Sequence, residues 1–320
     1  MPQAKPDVLA EVDHILTTAD TSSSPWRKPL DATTEAEREY VPDYQILHDL
    51  LSVPIAQGHA QSQQSGRVAK SLDAYLAHEL RRAGFPAPSV FPRPYRPRVL
   101  APEFREVEQN IHLALKELAD FEAKTESRLK PAALRSAIAR IAKSMPGTAD
   151  ANILGRFYVK QVDVVVSDWR RGPDVLISSK SQFSSYLNNK NNRYEEAIGE
   201  AKNLRDRYPM AAMGYAYIVR DNVFDGGAFE LLRDLLVRLR KPDGPFDATM
   251  MLVAEWKDST LDLVRIEDPA PALALSRFFE DLLNAVMAQT PVDIHREIRA
   301  RKRGEPPIGG FPPEEDAVVG

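Results

Sequence analysis

"PDVLISSKSQ", residues 173–182, decides how the chain is read. Its middle alternates like a half-buried strand, yet it closes on Ser178, Ser179, Lys180, Ser181 and Gln182, a polar cluster with a lysine at its centre. Lysine is depleted in strands, so one held at a strand end calls for a reason. Upstream, "FYVKQVDVVVSD" (157–168) also has period two, and "WRRGP" (169–173) is a short turn segment with Gly172 and Pro173. The two runs predict a hairpin. With its turn centred near Arg170 and Arg171, partners have numbers adding to about 341, so Asp163 faces Ser178 and Gln161 faces Lys180. Alternation then gathers Gln161, Asp163, Ser178, Lys180 and Gln182 on one face. Val162, Val164, Val166, Val175 and Ile177 take the other, apolar face.

Working outward, residues 192–208 predict a helix stopped by Pro209, followed by the strand "AAMGYAYIVR" and a leucine-rich helix over 229–240. Strands "ATMMLVAEWK" and "TLDLVRIE" and a helix over 272–287 complete the body. The order strand, strand, helix, strand, helix, strand, strand, helix predicts an α/β domain with a mixed sheet flanked by helices. Before it, helices over 8–16, 44–53 and 67–82 make residues 1–84 a helical N-terminal region, with a polar loop over 17–42. Six prolines between Phe85 and Phe104 mark 85–103 as an extended connector and domain boundary. Two core-facing helices follow, on Phe104, Val107, Ile111, Leu115 and Leu118 and on Leu134, Ile138, Ile141 and Met145. The core is thus expected over 104–290, with a C-terminal helix and mobile tail over 291–320 and "RARKRGEPPIGGFPPEEDAVVG" frayed from Arg299.

Of the 320 residues, 43% are hydrophobic, enough for a sizeable core, and no window approaches an apolar membrane span. With no secretory pattern at the N-terminus, the expected address is the cytoplasm. The absence of cysteine excludes disulfides, thiolate zinc sites and cysteine nucleophiles. Six scattered histidines show no short metal-ligand spacing. A net charge of −4 gives no global pull toward nucleic acid, but from Arg156 to Arg207 ten Lys/Arg stand against seven Asp/Glu, a locally basic region.

An acid on one strand, a lysine near the end of the next antiparallel strand, then a helix and another strand resembles the PD-(D/E)xK nuclease superfamily, with its restriction-endonuclease-like fold. The resemblance implies a metal-dependent DNA endonuclease using Mg²⁺, with Mn²⁺ as a substitute. By the same resemblance Asp163 is the first metal-binding acid and Lys180 orients or activates the attacking water. Gln182 assists the reaction. A restriction or anti-phage role, a homodimer and defence-system partner proteins are implied as well, and a catalytically inactive DNA-binding or scaffold module is the alternative. The literal "PD" at Pro173 and Asp174 lies on the same strand as Lys180 and does not count as the motif.

Ser178 stands where the family has an acid and cannot supply the charge that a hard cation prefers. In the SxK subgroup a glutamate from the following helix fills that gap. The matching element here is "NNRYEEAIGEAKNLRDRYP", with Glu195, Glu196 and Glu200 expected near the helix start. Balancing spacing from Lys180 against helix facing selects Glu196 as the second metal ligand, with Glu195 and Glu200 as alternates. Arg193 either holds a phosphate or pairs with Glu196. Ser178 and Gln161 complete the expected substrate surface. Arg233, Arg238, Arg240 and Lys241, with Arg93, Arg96 and Arg98, are further candidates for phosphate contacts.

Overall fold

The computed structural model describes residues 8–29, 38–61, 66–95, 111, 113–120, 134–136, 138–139, 151–168, 172–242, 244–289 and 296–305. Helices α1 (Val8–Thr18), α2 (Tyr44–Ala56) and α3 (Arg67–Arg82) come first, with the short strands β1 (Trp26–Arg27) and β2 (Glu39–Tyr40) between α1 and α2. Strand β3 (Val90–Phe91) and the ribbon β4 (Ala151–Leu154) and β5 (Val159–Val162) follow. The rest is β6 (Val164–Asp168), β7 (Gly172–Gln182), α4 (Tyr186–Arg205), β8 (Ala212–Arg220), α5 (Ala228–Leu239), β9 (Ala248–Trp256), β10 (Leu263–Glu267), α6 (Leu275–Gln289) and α7 (Arg296–Arg303).

Six strands form one mixed sheet in the order β10-β9-β8-β7-β6-β3. Strands β7, β8 and β9 are parallel, and β10, β6 and β3 run antiparallel to their neighbours. The parallel strands are covered on both faces, which explains why β8 and β9 are almost continuously apolar. On one face Met213, Tyr215, Val219 and Val253 pack with Ala197, Ala201 and Leu204 of α4 and Leu232 and Leu236 of α5. On the other, Ala216, Ile218, Met250 and Leu252 join a core with α1, α2, α3 and α6. The protein is therefore an α/β fold with a mixed sheet between helical layers. No helix among the described residues is long and apolar enough to cross a membrane.

The hairpin register is as the turn position predicts: Val164 pairs with Ile177, Val165 with Leu176 and Val166 with Val175. What the alternation does not reveal is a break at Asp163. The expected single strand over 157–168 is two strands, and beyond the break β5 leaves the sheet to pair with β4, placing Gln161 opposite Asn152. The break also inverts the facing, because Val162 joins the α4 core whereas Val164 joins the α3 core. As a result β7 runs on past its antiparallel neighbour, from Ser178 to Gln182, paired only with β8.

Other expectations change for tertiary reasons. The proline-rich stretch contributes β3 as an edge strand, the position in a sheet that tolerates proline. The helical N-terminal region shares one continuous core with the sheet, so its helices are a layer of the same body. Residues 296–303, expected within the helix and tail, are helical, with Ile298 and Ala300 buried and Arg301 donating to the carbonyl of Arg82 at 2.6 Å. Helix α4 begins at Tyr186 rather than near 192, because the buried Tyr186 anchors its first turn to Asn222 at 2.5 Å. The two helices expected after the connector fall largely outside the described residues, although 113–120 and 134–136 are helical. Trp169, Arg170, Arg171, Arg96 and Arg98 lie outside them too.

Candidate functional site

The end of β7 that β6 abandons is where the ionisable groups collect. It is also the carboxyl end of a parallel strand, where open α/β sheets tend to hold ligands. Asp163 fills the first vacated ladder position with its side chain: Oδ2 accepts from the backbone N–H of Ser179 at 2.9 Å. Its other oxygen lies 3.6 Å from Lys70 Nζ on α3. The same ammonium donates to Asp73 Oδ2 at 3.1 Å, and Asp73 Oδ1 accepts from the Ser179 hydroxyl. Two carboxylates thus share one lysine on the α3 side. Burial, with the charge of Asp163 added, pushes Asp73 up to about 7.

Ser178 and Lys180 point to the opposite side, toward α4. Lys180 Nζ is 3.1 Å from Glu196 Oε1, and Arg193 Nη1 donates to Glu196 Oε2 at 2.7 Å. Burial works against the charge on Glu196, but Lys180 and Arg193 outweigh it and hold this carboxyl below the ordinary glutamate value. The hydroxyl of Ser178 donates to Glu200, whose second oxygen lies 2.8 Å from Lys160 Nζ on β5. Side-chain exposure separates rim from wall. Asp163 (17%), Lys70 (24%), Lys180 (17%) and Glu196 (36%) reach solvent, whereas Asp73 (1%) and Glu200 (2%) back them from inside.

The sequence-derived candidates therefore divide. Ser178, Lys180, Arg193, Glu196 and Glu200 come together, and of the two uses open to Arg193 its pairing with Glu196 is the one observed. Asp163 adjoins the same stretch of β7 but turns to α3, because the break inverts its facing. Gln161 is exposed on the ribbon and out of register with Lys180. Gln182 is buried and satisfied within the fold, donating to the Ser184 carbonyl at 2.9 Å and accepting from the Tyr217 hydroxyl. Glu195 is exposed on α4, and since the glutamates sit well inside that helix, its amino-terminal dipole does not account for them. Several basic candidates serve the fold: Arg93 is buried and donates to the Pro88 carbonyl, Arg240 to Ala272 and Asp281, and Lys241 to Asp247. Arg233 pairs with its neighbour Asp234.

Lys70 and Asp73 were not among the candidates. A signal for Asp73 was present, because it keeps helical spacing with Leu76, Ala77 and Leu80 and so sets an acid in an apolar stripe. A comparison with known proteins finds no matching family model, curated protein or solved structure.

The donor chemistry suits a hard divalent cation. Asp73 and Asp163 both supply carboxylate oxygens, and the Lys70 ammonium already stands between them as a cation. Among the described residues no group of three or more His, Cys, Asp or Glu side chains gathers as a metal cage. The site thus offers two carboxylates, each already held by Lys70 and Ser179.

Proposed function

We propose that this protein is a metal-dependent endonuclease acting on DNA, with a restriction-endonuclease-like core in β6, β7, α4 and β8. The observation that carries the reading is the broken strand at Asp163. It leaves the edge of β7 unpaired, with Asp163 and Lys70 on its α3 side backed by the buried Asp73, and Lys180 with the more exposed Glu196 on its α4 side. Asp163 and Asp73 would hold Mg²⁺ or Mn²⁺. When bound, the metal polarises a phosphodiester and lowers the pKa of a coordinated water. Lys180, oriented by Glu196 and Arg193 on the α4 side of β7, would meet substrate phosphate from the side opposite the two aspartates, and Lys70 balances part of their charge in the fold. Ser178 and Glu200 fix the strand end from below. A place in restriction or anti-phage defence suits such an activity.

One observation favours the inactive scaffold instead: every carboxylate oxygen of Asp73, Asp163 and Glu196 already has a partner in the fold, from Lys70, Ser179, Lys180 or Arg193. Nicking of supercoiled plasmid with Mg²⁺ or Mn²⁺ separates the readings. Wild type should nick, and Lys180→Ala and Asp73→Asn should not. DNA binding without nicking under either metal would establish the scaffold. Loss of nicking in Glu196→Gln with retention in Asp73→Asn would move the second acid back to α4.

A further inference from the structure

The ribbon β4–β5 ends in the turn "GRFY", residues 155–158, and this tip exposes aromatic surface that the fold does not use. Phe157 is 67% exposed, and Leu154, Tyr158 and Val159 are also exposed. Such a tip would ordinarily be loose, but this one is fixed. Asn203 on α4, itself buried, accepts through Oδ1 from the N–H groups of Phe157 (2.8 Å) and Tyr158 (3.3 Å) and donates to the Tyr158 carbonyl at 3.0 Å. The N–H of Arg156 reaches the Asn203 carbonyl at 2.9 Å. Gly155 permits the contact, since a Cβ there would fall 2.1 Å from Asn203 Nδ2.

Beside the tip, Arg156, Asp206, Arg207 and Tyr208 line a depression of about 500 Å³. Two arginine–aromatic pairs stand around it: the Arg156 guanidinium is 5.7 Å from the Phe157 ring centroid, and that of Arg207 is 5.8 Å from the Tyr208 ring. The carboxylate of Asp206 is met by Lys202 at 2.8 Å and by Arg156 at 3.8 Å, so two arginines and a lysine around this one acid keep the surface cationic. Residues 151–162 include no acid. Flat rings held rigidly beside cations form a stacking platform with phosphate partners, the pattern that takes unpaired nucleotides without reading their sequence. Along β5, Lys160, the partner of Glu200, is three residues from Phe157, or roughly 10 Å.

We propose that the ribbon tip and the carboxyl end of α4 bind single-stranded DNA next to the proposed site, with bases stacking on Phe157 and Tyr208 and phosphates on Arg156 and Arg207. The proposal rests on the nuclease reading only in naming DNA as the ligand. Its test needs no cleavage: anisotropy of a labelled short oligothymidylate, titrated with the full chain in EDTA. Wild type should bind, Phe157→Ala and Arg207→Ala should each weaken binding about ten-fold, and Phe157→Trp should retain it. Phe157→Leu, which keeps apolar bulk without an aromatic face, should behave like Phe157→Ala. Full affinity in Phe157→Leu would overturn the proposal, as would a wild type that does not bind the oligonucleotide. A wild-type dimer that becomes monomeric in Phe157→Ala during sedimentation would show a second copy covering the tip, which also overturns it. Plasmid nicking with undiminished oligonucleotide binding in Phe157→Ala would sink this proposal and leave the nuclease reading standing.

Discussion

The two ends of α3 bury ionic groups in opposite ways. At the carboxyl end every lone pair of Glu79 is engaged. Oε1 accepts from the Asp43 N–H at 3.0 Å and from Arg82 at 2.7 Å, and Oε2 from the Tyr40 hydroxyl at 2.7 Å and again from Arg82 at 2.8 Å. At the amino end Asp73 and Asp163 share a single ammonium, and one of them is forced toward neutrality. The first arrangement is electrostatically closed and holds β2, α2 and α3 together. The second is left partly open: two carboxyl groups lean on one ammonium, and the buried one, Asp73, gives up charge to stay there.

The comparison breaks most visibly at the closed end. Glu79→Ala strands Arg82 in the core and should cost about 3–5 kcal/mol in urea unfolding. At the open end the proposed nuclease reading puts the cost on activity. Asp163→Asn keeps an oxygen for the Ser179 N–H, so its urea midpoint should barely move, while plasmid nicking drops about a hundred-fold or more.

A finer contrast lies in the pH dependence of stability. Between the ordinary aspartate value of 3.8 and about 7, Asp73 is protonated in the fold and ionised in the unfolded chain. The native state then binds more protons, and this contribution to stability is lost as pH rises. His78, nearer the closed end, has the reverse sign: burial, aided by Arg82, pushes it down to about 4. From pH 6.5 to 4 the unfolded chain takes up a proton that the fold refuses, so stability falls with acid. Urea midpoints measured from pH 4 to 7 should therefore rise more steeply with pH in Asp73→Asn than in wild type, because the Asp73 contribution that opposes the His78 slope is gone. The smallest effect is expected at Gln161, which the ribbon carries away from the open end. Gln161→Ala should leave nicking unchanged and stability within about 0.5 kcal/mol.

Much of the sheet was legible because its signals are local. Period two located β7, the apolar runs of β8 and β9 read as strands beside it, and the position of the turn set the pairing of Val164–Val166 with Val175–Ile177. The break at Asp163 was not, since no glycine, proline or cluster of turn residues in "VKQVDVVV" marks an interruption. It arises because a side chain replaces a backbone partner and β4 offers β5 a different one. Lys180, Glu196 and Glu200 were placed near one another by the resemblance to the SxK subgroup, with helix facing weighed against its spacing. Lys70 and Asp73 were missed for the opposite reason, since they reach Asp163 only through packing of α3 on the sheet.

The abandoned edge of β7 has a consequence for solubility. A strand that outruns its neighbour offers bare N–H and C=O groups on which another chain can grow a ladder, the start of many aggregates. Here the first such group, the N–H of Ser179, is already taken by Asp163. A lysine follows one residue later, and β5 carries the preceding chain away to its own ribbon. The residues proposed to open the molecule to DNA thus also act as gatekeepers, denying foreign strands a template.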